Sequence, residues 1–186
     1  TDKLQDPVIK EILEKLSSYF KGEDIQFYVI GATARDIVLS LHGEKAKRAT
    51  RDLDIAIAIS DWAKYADVEK GITEINDFTK DTLQKQRFLY KETFQVDIVP
   101  FGDIKKEDDR IYWPPDETVA MISLGFQEAQ EKTYSVEIDD LTIDVASLAG
   151  IFILKLFAWT DRNLESNSDA DDMGFIINSY LGIHEN

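Results

Sequence analysis

The ten residues Thr50-Arg51-Asp52-Leu53-Asp54-Ile55-Ala56-Ile57-Ala58-Ile59 constrain this chain more than any other stretch. Residues 54–59 form a nearly unbroken apolar run of about strand length, and two carboxylates, Asp52 and Asp54, stand at its entrance. Side chains alternate along a strand, so both carboxylates face the same way, about 7 Å apart. A buried strand holds an unpaired carboxylate only at high cost. A divalent cation between the two like charges removes that cost. Oxygen-only ligands suit Mg²⁺ or Mn²⁺, which bind through one or two carboxylates plus substrate phosphates. The same string is also compatible with a solvated strand end, so the rest of the chain has to decide.

The chain has 186 residues, enough for one domain or a core with a small appendage, and long enough to bury a sizeable core. It contains no cysteine, which excludes disulfides and thiolate metal sites. The longest apolar candidate for a membrane span, residues 148–159, is interrupted by Lys155 and falls short of the ~18 residues required. No basic and apolar leader opens the sequence, so a cytoplasmic protein without membrane contact is expected. The first residue is Thr rather than Met, which is what a trimmed or partial chain looks like. The formal net charge of −15 is the opposite of a nucleic-acid binder's basic footprint. An RNA or DNA substrate would need a partner protein or a local patch, for which Lys45, Lys47, Arg48 and Arg51 are available beside the Asp pair; a solvated loop explains them equally well.

Three further stretches bear on the Asp pair. After an amphipathic helix over residues 7–20 and a short strand over 25–30 comes Gly31-Ala32-Thr33-Ala34-Arg35-Asp36, followed by the apolar Ile37, Val38 and Leu41. A strand that runs through Gly into a helix presents free N–H groups and the positive end of a helix dipole, an arrangement that favours phosphate. The Thr33 hydroxyl can add a donor. Residues 61–83 read as helix, broken near Gly71. Residues 87–90 and 93–100 read as two strands joined at Lys91-Glu92. The second embeds Asp97 in the apolar run Val96-Asp97-Ile98-Val99. If that strand pairs with the one carrying Asp52 and Asp54, three carboxylates converge. Two cations about 3.5–4 Å apart could then activate a hydroxyl and stabilise a leaving pyrophosphate. Residues 103–117 are a charged, proline-containing loop, either near the site or crossing the surface. Short strands follow around Phe126, over 134–138 and over 141–145, with Asp139-Asp140 as a hairpin turn.

Residues 147–162 make the strongest helix, apolar nearly all round and expected to lie buried between the sheet and the last helix. Lys155 within it can reach a nucleotide phosphate as a point charge, snorkel to solvent, or pair with a nearby Asp. Asp169-Ala170-Asp171-Asp172 opens the final helix, with capping expected of Asp169. His42 and His184 are expected on the surface, and Trp62, Trp113 and Trp159 in core or loop packing.

Together these stretches resemble the polymerase-β-like nucleotidyltransferase superfamily: a Gly-rich strand-to-helix turn (Gly31 to Asp36), an Asp-x-Asp pair on the next strand (Asp52, Asp54) and a third acidic residue on a later strand (Asp97). Within it, the chain is most similar to AbiEii-type toxin nucleotidyltransferases. Those carry Gly-Gly-Thr-Ala at the turn and Arg-x-Ser/Thr-x-Asp-Ile/Leu-Asp at the strand, matched here by Gly31-Ala32-Thr33-Ala34 and by Arg48-Ala49-Thr50-Arg51-Asp52-Leu53-Asp54. A late Lys-x-x-Ala, Arg, Asp-x-x-Asp segment is matched by Lys155, Ala158, Arg162, Asp169 and Asp172. Ala32 departs from the second Gly of that pattern. Arg35-Asp36 looks more like the head domain of CCA-adding enzymes and poly(A) polymerases, and the larger C-terminal region of many toxin members is missing.

The resemblance implies an α+β nucleotidyltransferase core, a mixed sheet flanked by helices, over residues 1–146, with a small helical unit over 147–186. It implies transfer of NMP from an NTP to a hydroxyl acceptor, with release of pyrophosphate. Asp52, Asp54 and Asp97 would be the catalytic carboxylates and ligands for Mg²⁺ or Mn²⁺. Gly31, Ala32, Thr33, Arg35, Arg48, Thr50 and Lys155 would hold the nucleotide. The acceptor implied is a tRNA end, a protein hydroxyl or a small molecule, and the partner an antitoxin protein. The rival reading is a non-catalytic nucleotide-binding or partner-binding module on the same fold.

Overall fold

A computed structural model of the chain describes residues 6–44, 52–164 and 166–184. In chain order the elements are α1 (Pro7–Gly22), β1 (Phe27–Ile30), α2 (Gly31–Leu41), β2 (Asp52–Ile59), α3 (Trp62–Glu74), β3 (Phe78–Lys80), β4 (Arg87–Tyr90), β5 (Phe94–Gly102), β6 (Arg110–Tyr112), β7 (Ala120–Ile122), α4 (Phe126–Gln130), β8 (Thr133–Ile138), β9 (Leu141–Ala146), α5 (Leu148–Arg162) and α6 (Ser168–His184). Seven strands form one mixed sheet in the order β3-β4-β5-β2-β1-β9-β8, and β6 and β7 form a separate hairpin. The Asp-bearing strand β2 sits at the centre, antiparallel to β1 and parallel to β5 along its whole length. Strands buried on both faces read as continuous apolar runs, which is why residues 55–59 lack strict alternation.

Helices α1 and α3 cover one face. Helix α1 begins at Pro7 behind an N-cap at Asp6, whose Oδ1 accepts from the Val8 N–H at 2.8 Å. It buries Ile9, Ile12, Leu13, Leu16 and Phe20 at helical spacing, and the Phe20 ring meets Phe27 of β1 at 5.0 Å between centroids. From α3, the Tyr65 hydroxyl donates to the Ile98 carbonyl of β5 at 3.1 Å. On the opposite face α2, α4 and α5 pack: the Phe126 ring stacks on Phe101 of β5 at 5.8 Å, and the Tyr28 hydroxyl donates to the Phe126 carbonyl at 2.7 Å. This second face carries Asp54, Asp97 and Arg87.

The sequence-based expectations hold for the hairpins. Lys91 and Glu92 adopt positive φ between β4 and β5, and Asp139 does so between β8 and β9. Four expectations are corrected. The helix expected over 61–83 stops at Glu74, because Ile75 is extended and Asp77 turns with φ +76°, which lets Phe78 bury as a strand residue. Gly71 does not break α3; it makes room for Tyr19 of α1, since a Cβ there would lie 2.1 Å from the Tyr19 hydroxyl oxygen. The strand expected at Phe126 is the short helix α4, entered through Gly125 at φ +89°; a short apolar run cannot distinguish the two by periodicity. Helix α5 is not buried throughout: Leu148, Gly150 and Ile151 are, whereas Leu156 is 38% exposed. Its later turns line a cavity and pack on α6 instead of the sheet.

His42 is exposed, Trp113 is buried and Trp62 is half-buried against it, while the side chain of His184 lies outside the described residues. Among the described residues no helix is long and apolar enough to cross a membrane.

Ile57 in β2 is fully buried. Ile57→Ala is expected to lower the free energy of unfolding by about 2–5 kcal/mol, read from urea denaturation with an unchanged m-value.

Candidate active site

The site begins with a steric constraint at the end of β1. Gly31 starts α2 with φ +68°, and a Cβ there would stand 2.2 Å from Asp54 Oδ2. Any side chain would therefore be strained and would strike the carboxylate. The register Ile30↔Asp54 places the turn beside the Asp. Ile30 at the N-cap of α2 has no side chain able to cap, and no acidic residue occupies the first turn. The first N–H groups of α2 thus lack a side-chain acceptor, the condition under which a helix start receives an anion.

Asp54 and Asp97 are Cα partners on the adjacent parallel strands β2 and β5, so their side chains stand next to each other on one face. Asp52 lies two residues toward the strand's open end, paired with Gln95, and is exposed. Asp54 is half-buried and no described residue donates a hydrogen bond to it. Burial first, then the negative charges of Asp52 and Asp97, push its pKa up to about 7; Lys155 and Arg87 pull in the other direction. A carboxylate pressed by burial and by two neighbours of like charge is a ligand set that Mg²⁺ or Mn²⁺ would relieve, and the donors, all carboxylate oxygens, fit such a cation. Among the described residues no group of three such side chains is gathered so that it could hold a metal ion. The Asp97 carboxylate is engaged elsewhere: Arg87 Nε donates to its Oδ1 at 2.8 Å, Arg87 Nη2 to its Oδ2 at 3.0 Å, and Gln86 Nε2 to its Oδ2 at 3.3 Å.

A cavity of about 190 Å³ opens beside Gly31 and Asp54, walled by Met121, Ile122, Phe126, Ile151 and Leu154, with Lys155, Asp161 and Arg162 at its polar side. Lys155 is paired: its Nζ stands 2.7 Å from Asp172 and 3.2 Å from Asp169. Burial alone would lower the Lys155 pKa, but the hydrogen bond and charge of Asp172, with those of Asp169, raise it. Asp169 belongs to the first turn of α6, yet its buried carboxylate takes a two-pronged hydrogen bond from Arg162, Nε to Oδ2 at 2.7 Å and Nη2 to Oδ1 at 2.9 Å, so it locks α6 to α5 rather than capping. Burial raises its pKa, but Arg162 and Lys155 outweigh that and hold it below the usual carboxylate range.

The other expected nucleotide-binding residues are placed as follows. Ala32 is half-buried in the first turn of α2. Thr33 is buried, and its hydroxyl donates to the Asp52 carbonyl at 3.2 Å, bracing the turn against β2. Arg35 points toward α6: its Nε bonds Asp36 at 2.9 Å and its guanidinium lies over the Phe175 ring at 5.0 Å. Arg48 and Thr50 lie outside the described residues. Two contributors were not singled out from sequence. The 103–117 segment, expected as a loop, contains β6, which pairs with β7; Met121 and Ile122 of β7 wall the cavity and Arg110 of β6 pairs with Asp161 of α5. Arg87 was not legible: a two-residue turn at Lys91-Glu92 would set it opposite Val96, and the observed turn takes in Thr93 as well, which moves Arg87 opposite Asp97.

The family model described as nucleotidyl transferase AbiEii toxin, type IV TA system, matches residues 14–183. No curated protein matches the chain. Among solved structures, the chain is similar to an antigenic nucleotidyltransferase-like protein from Paracoccidioides brasiliensis, with 15% identity and TM-score 0.56 over 91% of this chain and 75% of that one. It is also similar to the antibiotic-resistance factor ANT(2'')-Ia in its solution structure, with 10% identity and TM-score 0.55 over 95% of this chain and 86% of that one. At such identities the likeness is one of fold.

Two outcomes follow from this geometry. Gly31→Ala should cost about 1–3 kcal/mol of stability, and part of that cost should vanish in an Asp54→Ala background, where the struck carboxylate is gone; a double-mutant cycle on unfolding free energies measures it. Asp54 binds a proton more tightly folded than unfolded, so it contributes a stability that is lost as pH rises from about 4 to about 7. Asp54→Asn should therefore stabilise the metal-free protein at pH 8, by roughly 1–3 kcal/mol, and hardly at pH 4.5. Equal gains at both pH values would contradict the burial argument.

Proposed function

The chain belongs to the AbiEii nucleotidyltransferase toxin family and is a nucleotidyltransferase, and we propose that it moves NMP from an NTP to a hydroxyl acceptor at the Gly31–Asp54–Asp97 centre. The observation that carries this reading is the side-by-side register of Asp54 and Asp97 next to a strand-to-helix turn whose positive φ and close approach to Asp54 favour glycine. The nucleotide's phosphates lie over the N-terminus of α2, with Lys155 on the other side, and its apolar parts enter the cavity walled by Ile122, Phe126 and Leu154. Asp52, Asp54 and Asp97 would hold Mg²⁺ or Mn²⁺, which supplies charge neutralisation at the phosphates. Thr33, by bonding the backbone of β2, keeps the turn and the Asp pair in one rigid unit. The acceptor hydroxyl attacks the α-phosphorus, its proton passes to the Asp97 carboxylate, a new P–O bond forms, and the bond to the bridging oxygen breaks to release pyrophosphate.

Lys155 enters this reading as a paired residue. Asp169 and Asp172 hold its ammonium at the rim of the cavity, so a triphosphate competes with Asp172, the more exposed of the two. The acceptor is a tRNA end, a protein hydroxyl or a small molecule. The net charge of −15 weighs against unaided binding of a polyanion. The same reading makes the chain the toxin of a toxin–antitoxin pair.

Incubation with each of the four α-labelled NTPs and Mg²⁺ or Mn²⁺, against total RNA and against protein, tests the proposal. Label transfer and pyrophosphate release are expected from wild type, and a loss of about 100-fold or more from Asp52→Ala/Asp54→Ala. Failure of wild type to label any acceptor while still binding nucleotide would favour the non-catalytic module.

A further inference from the structure

One row of side chains crosses three strands on the site's face: Arg87 on β4, Asp97 on β5 and Asp54 on β2, with registers Arg87↔Asp97 and Asp54↔Asp97. The row continues to Ile30 and the Gly31 turn on β1. Arg87 and Lys155 therefore flank the carboxylates from opposite sides, Lys155 on the side of the cavity and Arg87 on the side away from it. The two neighbouring carboxylates are treated differently. Asp97 is held by both prongs of the Arg87 guanidinium and by Gln86, whereas no described residue donates a hydrogen bond to Asp54. A bidentate Arg–carboxylate pair combines charge with planar geometry, so it fixes the plane of Asp97 as well as its charge.

We infer that Arg87 is a positioning residue for the transfer centre, whose guanidinium stands in for the divalent cation on Asp97 in the ligand-free protein. This inference rests on the proposed role of Asp97 as a metal ligand. Two physical consequences follow. Arg87 offsets part of the repulsion that Asp52, Asp54 and Asp97 exert on one another. The same positive charge opposes an incoming cation and occupies both oxygens of its third ligand, so the centre takes a free cation weakly. A nucleotide triphosphate brings negative charge that compensates for Arg87, which couples metal entry to nucleotide entry. Outer-shell partners of metal ligands commonly tune affinity in this way.

The experiment is Mn²⁺ binding, by electron paramagnetic resonance of free Mn²⁺, to the whole chain without nucleotide. Wild type, Arg87→Gln, Arg87→Lys and Asp97→Asn are compared, each checked for folding by circular dichroism. Arg87→Gln is expected to bind Mn²⁺ about tenfold tighter than wild type, because one positive charge is removed and Asp97 is released. Arg87→Lys, which keeps the charge but not the fork, should tighten binding by about threefold, and it stands in if the Gln variant does not fold. Asp97→Asn should weaken binding. A loss of fold alone would weaken binding in every variant, so tightening separates positioning from a structural role. Unchanged or weaker binding in both Arg87 variants, with weakening in Asp97→Asn, overturns the inference and leaves Asp97 as a ligand. Unchanged binding in Asp97→Asn, or no Mn²⁺ binding by any of the proteins, overturns the metal-ligand role of Asp97 and the inference with it.

Discussion

The contact between Gly31 and the Asp54 carboxylate is the constraint on which the rest of the centre depends. With a Cβ at residue 31 the distance to Asp54 Oδ2 would be 2.2 Å, far inside van der Waals contact. Its absence lets the chain turn from β1 into α2 directly over a half-buried acid. That turn aims the uncapped start of α2 at the same space the acid faces. Positive helix dipole and negative carboxylate are thereby brought side by side at one cavity, the electrostatic pattern a phosphate with its cation requires. Thr33 secures the arrangement by bonding the backbone of the strand that carries the acids.

Charge is balanced around this contact in two ion-pair systems that the strands and helices assemble separately. On the sheet, Arg87 of β4 neutralises Asp97 of β5. On the helices, Lys155 and Arg162 of α5 neutralise Asp169 of α6, with Lys155 also reaching Asp172. Removing one partner of a buried pair leaves an uncompensated charge, whereas an intact pair is worth little to net stability. These pairs therefore hold geometry more than they add stability: they fix α6 against α5 and Asp97 against β4, and both are borders of the candidate site. Asp54, like Asp52, has no pairing cation at hydrogen-bond distance among the described residues, and burial first, then the charges of Asp52 and Asp97, raises its pKa.

Much of this was legible in the chain. The amphipathic spacing of α1, the apolar run of β2, the glycine turn and the lone Asp97 in an apolar strand each follow from local periodicity and the cost of burying charge. So did the hairpin turns at Lys91-Glu92 and Asp139-Asp140, where the chain adopts positive φ. Local signals were weakest where packing overrides them. Gly71 looked like a helix breaker and is a site of close helix contact; Phe126 looked like a strand and caps the sheet from a short helix; Asp169 looked like a cap and is buried in an ion pair.

What the sequence determined by itself is the strongly periodic elements, such as α1, β2 and α5, and the identity of the acidic residues, because strand and helix periods, glycine freedom and the cost of buried carboxylates act over a few residues at a time. Tertiary structure alone decided which cation faces which acid. Arg87 meets Asp97 only through the register of β4 on β5, Lys155 meets Asp169 and Asp172 only through the packing of α6 on α5, and Arg110 of the β6–β7 hairpin meets Asp161 only where that hairpin packs beside α5. Coulombic attraction between side chains distant in sequence has no periodic signature, so its partners are fixed when the chain closes on itself.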